Sequence, residues 1–291
     1  MMFDGAIVAL VTPFRDGKVD EKALSDLIER CLADGASGFV PCGSTGESAT
    51  LSHDEHRQVV EVTVKATAGR KPVIAGTGSN NTQEAVALTR HAKAVGADGA
   101  LLISPYYNKP TQEGIYLHYK TVAEAAELPI IVYNIPGRTA SNILPGTLAR
   151  LSKIENIVGV KEASGNLHQI AEVARLCGPS FEVISGDDAL TLPILAVGGC
   201  GVITAGGNVI PGDMAALCSA GVAGDAPRAR AVHQKMLPLL DALGLETNPI
   251  AVKAALALQG RVANEVRLPL TPLTPANTEK LRLAMKDYGL L

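Results

Sequence analysis

The stretch IVGVKEAS, residues 157–164, decides how the chain is read. Ile157, Val158 and Val160 form an apolar run without polar alternation, the mark of a strand buried on both faces. Lys161 and Glu162 follow in the same run, with no turn residue to carry them to solvent first. Working outward, the same kind of run recurs: AIVALVT (6–12), GFVPCG (38–43), PVIAGTG (72–78), GALLIS (99–104), PIIVYNIP (129–136), FEVISGDD (181–188) and GVITAGG (201–207). Amphipathic stretches such as DEKALSDLIERCLADG and TQEAVALTRHAKAVGADG separate them.

Strand and helix in alternation, eight strands in all, predict an α/β chain closed into a (β/α)8 TIM barrel. The alternative is an open doubly wound sheet, which would usually advertise a glycine-rich dinucleotide turn. The nearest candidate, GTGSNN (76–81), lacks the third glycine of GxGxxG, and no GxxxxGK[ST] phosphate loop occurs. Helix starts are marked by Ser52 with Glu55, a capping box, and by Thr82 with its acidic neighbours, read the same way. Gly35 and Gly96 stand where helices end. After about residue 224 the strand signals stop, and PRARAVHQKMLPLLDALG, NPIAVKAALALQG and TPANTEKLRLAMKDYG read as helices. The expected division is a catalytic barrel over 1–224 and a small C-terminal helical domain over 225–291, serving packing and assembly.

The chain has 291 residues, 47% hydrophobic and 19% charged, enough to bury a large core. A net charge of −3 with no basic stripe argues against nucleic acid as a partner. MMFDGAIVALVTPF has Asp4 ahead of its apolar run, no basic leader, and Pro13 at the end, so no secretory signal is expected. No apolar run approaches the ~20 residues of a membrane helix. Cys31, Cys42, Cys177, Cys200 and Cys218 are odd in number and contain no CxxC, which predicts reduced, buried thiols in a cytoplasmic protein.

In such barrels the chemistry sits at the C-terminal ends of the strands. There the sequence puts GSTGES (43–48), Tyr106 and Tyr107, Tyr133 and Asn134 with Arg138 in the loop beyond, Lys161 and Glu162, and Gly186, Asp187 and Asp188. Aromatics are only 3% of the chain, yet three of its six tyrosines fall at this mouth, which points to proton handling. An exposed lysine has a pKa of ~10.4 and, being charged, cannot attack a carbonyl. Burial and a neighbouring cation such as Arg138 would depress it, and ~3 units correspond to roughly 4 kcal/mol. Lys161 therefore reads as a Schiff-base amine, against the plainer reading of a lysine that snorkels to solvent. GSTGES offers backbone N–H groups and the Ser44 and Thr45 hydroxyls to a small carboxylate, although Ser44 with Glu47 also fits a helix cap. HDEH (53–56) could set His53 and His56 on one helix face, but no third metal ligand is evident. A solvated first helical turn, with Asp54 and Glu55 favoured by the helix dipole, is the better reading, and no metal is expected. Asp187 and Asp188 could bind a cation, but the N-cap of the next helix is the better reading.

With GSTGES, SPYYNKPTQEG, YNIPGRT and GVKEASGN in place, the chain resembles the dihydrodipicolinate synthase family of pyruvate-dependent class I aldolases. The resemblance runs from VALVTPF near the start to NPIAVKAAL and RLPLTPL near the end. It implies a lyase condensing pyruvate with L-aspartate 4-semialdehyde to 4-hydroxy-tetrahydrodipicolinate, in diaminopimelate and lysine biosynthesis. It also implies a cytoplasmic homotetramer, a dimer of dimers, without cofactor. By the same resemblance Lys161 forms the Schiff base and Tyr133 shuttles protons. Ser44 and Tyr107 complete a relay, with Tyr107 reaching in from a neighbouring subunit. The Ser44–Thr45 turn holds the pyruvate carboxylate, Arg138 clamps the carboxylate of the aldehyde substrate, and Gly186 and Ile203 line the pyruvate pocket. Many bacterial members are inhibited by lysine, and the matching positions are Ser48, Ala49, His53, His56, Asn80, Glu84 and Tyr106. Of these, His56 would meet lysine's carboxylate and Glu84 its ammonium.

Two departures stand out. The relay position, usually threonine, is Ser44, which keeps the hydroxyl but loses the methyl that restricts χ1. N-acetylneuraminate lyase-like members share that serine, but lack an arginine matching Arg138. The family's Ser-Val-Thr-Ala-Asn run reads here Thr204-Ala205-Gly206-Gly207-Asn208, which is expected to loosen the eighth-strand loop. The competing readings are another pyruvate-dependent aldolase, lyase-like or acting on keto-sugar acids, and a non-catalytic small-molecule sensor on the same barrel.

Overall fold

The computed structural model describes all residues, 1–291. Eight parallel strands form the core: β1 (Gly5–Ala9), β2 (Gly38–Val40), β3 (Ile74–Gly76), β4 (Gly99–Ile103), β5 (Ile130–Asn134), β6 (Ile157–Glu162), β7 (Glu182–Ser185) and β8 (Gly201–Thr204). They are hydrogen-bonded in the order β2-β1-β8-β7-β6-β5-β4-β3, and a bridge between Phe39 and Val73 joins the two ends. The result is a TIM barrel, as the alternation of apolar runs and amphipathic stretches predicts. Around it run α1 (Glu21–Ala33), α2 (His53–Thr67), α3 (Thr82–Ala94), α4 (Gln112–Ala126), α5 (Pro145–Leu151), α6 (Leu167–Cys177), α7 (Thr191–Ala196) and α8 (Pro211–Val222). Three C-terminal helices follow: α9 (Ala226–Leu243), α10 (Ile250–Leu258) and α11 (Pro275–Tyr288). No helix is long and apolar enough to cross a membrane.

Two apolar layers explain why the strands look uniformly hydrophobic. Ile7, Val40, Ile74, Leu101, Ile131, Ile184 and Ile203 fill the barrel, while a larger cluster including Val8, Phe39, Leu102, Val132 and Val160 packs under the helices. Fully burying one such side chain contributes about 1.5–3 kcal/mol. Successive residues point to opposite faces, so at the end of β6 Val160 turns toward the helices and Lys161 turns into the barrel. Glu162 turns back outward. There Asn134 Nδ2 donates to its Oε1 at 2.7 Å and bonds Asn142 Oδ1, which also accepts from Gln169. The lysine and the glutamate of one strand end therefore serve different layers.

Helix starts mostly follow the sequence. Ser52 and Glu55 form the capping box of α2, and Gly35 and Gly96 take positive φ just past α1 and α3. Thr82 is corrected: Asn81 precedes the helix and caps α3, its side-chain oxygen accepting from Gln83 N, while the Thr82 hydroxyl turns to His118 Nδ1 at 3.0 Å. The first strand is also shorter than its apolar run. It ends at Ala9, and Thr12 lies beyond it, donating to Gly46 O at 2.7 Å.

Candidate functional site

At the C-terminal mouth of the barrel lies a cavity of about 310 Å³, lined by Ser44, Thr45, Tyr133, Arg138, Lys161, Gly186 and Ile203 among others. Lys161 is 6% exposed and has no carboxylate within ion-pair distance. Its pairing partner across the ladder is Tyr133 on β5, and its Nζ sits 4.4 Å from the centre of that ring. Burial lowers the Lys161 pKa to about 8, with the Arg138 charge adding to the shift and Asp188 opposing it. The uncharged fraction at pH 7 thereby rises from roughly 1 in 3,000 to roughly 1 in 10. Burial pushes the Tyr133 phenol up to about 12, against the pull of Arg138 and the Ser44 hydroxyl, so it stays protonated and can donate. A Cβ added at Gly186 would lie 3.0 Å from Lys161 Cε, so only glycine leaves the lysine its room.

The GSTGES segment is a turn that runs into a single 3-10 turn, Ser48–Thr50, without a side-chain cap. Gly46 N and Ser48 N both donate to Gly43 O, and Glu47 N donates to Ser44 O. The N–H groups of Ser44 and Thr45 have no partner within the chain. Two free amides and two hydroxyls on the cavity wall make a concave donor set suited to one small anion. The Glu47 reading as a cap is corrected: its backbone is left-handed, at φ 54°, and its buried carboxylate is taken by Lys253. Arg138 sits on a single helical turn, Pro136–Thr139, and its Nη2 donates to Asn248 O at 3.0 Å.

The tyrosines separate. Tyr133 faces Lys161, and Tyr106 lines a second, adjoining cavity of about 430 Å³. Tyr107 is 89% exposed on left-handed backbone at φ 73°, outside both cavities. Three phenols in one mouth is therefore corrected to one in this chain's own site. Ser48, Ala49, His53, His56, Glu84 and Tyr106 all line the second cavity, which shares Ser44, Tyr133 and Arg138 with the first. Asn80 stands behind it, donating to Tyr106 O at 3.1 Å.

HDEH is the solvated first turn of α2 at His53 and Asp54, as expected, but His56 leaves it for the interior. His53 meets Glu84 at 2.8 Å, Glu55 is held by Arg267, and His56 is buried with Nε2 donating to Gly76 O at 2.7 Å. Burial lowers the His56 pKa, so the ring is neutral and its free Nδ1 is an acceptor. Such an acceptor suits an ammonium better than a carboxylate.

Asp187 and Asp188 also divide. Asp187 Oδ1 accepts from Ala189 N and Leu190 N ahead of α7, whereas Asp188 Oδ2 accepts from Gly206 N at 2.7 Å. The expected loosening of the β8 loop is corrected by the same contact. Asn208 is fully buried and bonds Val11 N, Ala9 O and Ala205 O, and a Cβ at Gly206 would meet Asp188 Oδ2 at 2.9 Å. Here glycine permits close approach and not mobility.

Sequence reasoning read one cavity residue only as a cap and overlooked another. Asp188 carries a buried, unpartnered Oδ1 beside Lys161. Asn248 donates through Nδ2 to Thr45 Oγ1 at 2.9 Å, from a segment with no strand end to flag it.

With this geometry in view, residues 2–288 match the family model described as the dihydrodipicolinate synthetase family. A 4-hydroxy-tetrahydrodipicolinate synthase of Syntrophus aciditrophicus (strain SB) is 60% identical over 290 residues, all of both chains. The crystal structure of dihydrodipicolinate synthase from Aquifex aeolicus superposes with a TM-score of 0.98 at 51% identity, over 99% of each chain. The enzyme of Cyanidioschyzon merolae, solved with lysine bound, has a TM-score of 0.97 at 42% identity, covering 100% of this chain and 99% of that one.

Proposed function

The chain belongs to the dihydrodipicolinate synthetase family, and on that premise we propose that Lys161 carries its chemistry as a Schiff-base amine. The activity is that of a lyase of the class I aldolase type. It condenses pyruvate with L-aspartate 4-semialdehyde to 4-hydroxy-tetrahydrodipicolinate, a step of diaminopimelate and lysine biosynthesis. One observation carries the assignment of roles: an unpaired amine, pulled down to about 8, lies beside a protonated phenol in the cavity that holds the free Ser44 and Thr45 amides.

Neutral Lys161 attacks the pyruvate carbonyl, and Tyr133 supplies the proton with which the oxygen leaves as water. The pyruvate carboxylate rests on the Ser44 and Thr45 amides, with Ile203 and Gly186 leaving space for the short chain. Loss of a methyl proton turns the iminium into an enamine, whose carbon attacks the aldehyde of the second substrate. The amino group of that substrate then closes on the imine carbon and releases Lys161. Arg138 holds its carboxylate, a task that suits a planar guanidinium. Ser44 passes protons between Tyr133 and the outside.

Tyr107 is the third member of that relay, supplied by a neighbouring subunit. An aromatic side chain 89% exposed on strained backbone supports that reading, because the barrel that bears it gives it nothing to pack on. The assembly is accordingly a homotetramer, a dimer of dimers, in the cytoplasm. The second cavity takes lysine, with Glu84 and the His56 acceptor toward an ammonium and Ser48, His53, Asn80 and Tyr106 around it. Bound lysine in the Cyanidioschyzon relative supports this, and full activity in millimolar lysine would count against it.

The test of the activity is a coupled assay with pyruvate and either L-aspartate 4-semialdehyde or N-acetylmannosamine, together with borohydride trapping of pyruvate. Turnover with the first aldehyde and a trapped adduct on Lys161 are expected. Turnover with the sugar alone would transfer the chain to the lyase-like reading.

A further inference from the structure

Glu47 follows the carboxylate-binding turn directly, and it is held from the far end of the chain. Its side chain and that of Lys253 on α10 are both 0% exposed, with Nζ 2.5 Å from Oε1. Glu47 Oε2 accepts from the backbone N–H of Arg267 at 3.0 Å. Lys253 Nζ and Arg267 Cζ each lie 4.1 Å from the centre of the Phe14 ring, and the Arg267 guanidinium forks onto Glu55.

The position of Glu47 bears on the anion site through peptide planarity. The Ser44 carbonyl and the Thr45 N–H belong to one rigid plane, and they point in opposite directions. Glu47 N donates to that carbonyl at 3.2 Å, so where Glu47 sits decides where the Thr45 N–H aims. The Gly43 carbonyl, opposite the Ser44 N–H, accepts from Gly46 and Ser48, the neighbours of Glu47 on either side. A fully buried ion pair adds little stability over an apolar pair of the same volume. Its benefit is geometric, because two desolvated charges tolerate only one arrangement.

We infer that Lys253, through its buried pair with Glu47, is a positioning residue that sets the two anion-binding amides, so that affinity for pyruvate is governed from the C-terminal helical segment. This rests on the reading that the Ser44–Thr45 turn holds the pyruvate carboxylate.

The single change Lys253→Met leaves a buried carboxylate without a partner, so the informative variant removes both charges, Glu47→Gln with Lys253→Met. Glu47→Gln alone, in which Lys253 can shed its proton, gives a second reading. The pyruvate KM should rise about tenfold or more in both, since an ångström of misplacement costs up to about a hundredfold. KM for the aldehyde and kcat should stay within about twofold, the pattern of lost binding without lost chemistry. Calorimetric titration with pyruvate should weaken by the same factor as KM. A pyruvate KM within about twofold of the parent overturns the proposal, as does a parallel decline of kcat and both KM values. Thr45→Pro, which removes an N–H that has no partner within the chain, separates the turn from its support. If it raises the pyruvate KM while the charge-free pair does not, the turn holds the carboxylate and Lys253 has no part in it. If Thr45→Pro is silent, the reading of the turn fails and the inference falls with it.

Discussion

Lys161 and Lys253 are both buried lysines at the same mouth of the barrel, and their surroundings differ in one respect. Lys253 has the Glu47 carboxylate 2.5 Å from its ammonium, whereas Lys161 has no ion-pair partner. Burial lowers the pKa of each, but at Lys253 the Glu47 charge pulls back toward the ordinary lysine range. Desolvation makes a nucleophile only where no counter-charge stabilises the proton. With a counter-charge, the same desolvation makes a rigid strut. On the proposed reading Lys161 is a reagent and Lys253 a support, although each is an amine in a dry place.

The comparison can be broken most decisively by turnover. Lys161→Met should reduce kcat by at least about a thousandfold and abolish the borohydride adduct, because the covalent intermediate has no other amine to form on. An adduct on Lys253 in that variant would reverse the two roles.

Stability sharpens the contrast next. Lys253→Met alone should cost about 3–5 kcal/mol in urea unfolding, the usual penalty of stranding one member of a buried pair. Lys161→Met should cost nothing or raise stability, since it removes a charge that folding desolvates without a partner. Equal losses in the two variants would show that the pairing makes no difference.

The smallest effect is in pH. Lys161 binds its proton less tightly folded than unfolded, about 8 against 10.5, so the unfolded chain holds more protons between those values. Stability should therefore rise with pH across that window, and the penalty from Lys161, at most about 3 kcal/mol, is fully present below it. Lys161→Met should remove that slope. In the parent, kcat/KM for pyruvate should climb with pH and level off above about 8, as the amine loses its proton. A rate flat from pH 6 to about 9 would contradict a depressed lysine.

The strand ends were legible because a parallel barrel buries both faces of each strand, which leaves an unbroken apolar run with polar residues only at its tip. Lys161, Tyr133 and the GSTGES turn stand out against that background. Thr82 and Asp188 were misread for a local reason. Each fits a cap by composition, but Asn81 already caps α3 and Asp187 takes the N–H groups ahead of α7, whose start has no side-chain cap, so the spare group turns to a partner distant in sequence. His56 was placed on a solvated turn because the polar tract HDEH hides that one of its four residues faces the barrel.

The C-terminal segment shows where legibility ends. NPIAVKAALALQG reads as an apolar helix with one stray lysine, and a residue so isolated would ordinarily reach solvent. Lys253 stays buried because Glu47, 206 positions earlier in the chain, waits for it. Asn248 likewise has no local mark, and it matters only because the fold brings it to Thr45.

Periodicity, caps and the polar residues at strand ends, all properties of short stretches of chain, determined the barrel and the amine it carries. Which of two buried lysines is free, and which way the anion-binding amides point, depended on contacts between segments some two hundred residues apart. Electrostatic partnership depends on distance in space, and only the folded chain sets that distance.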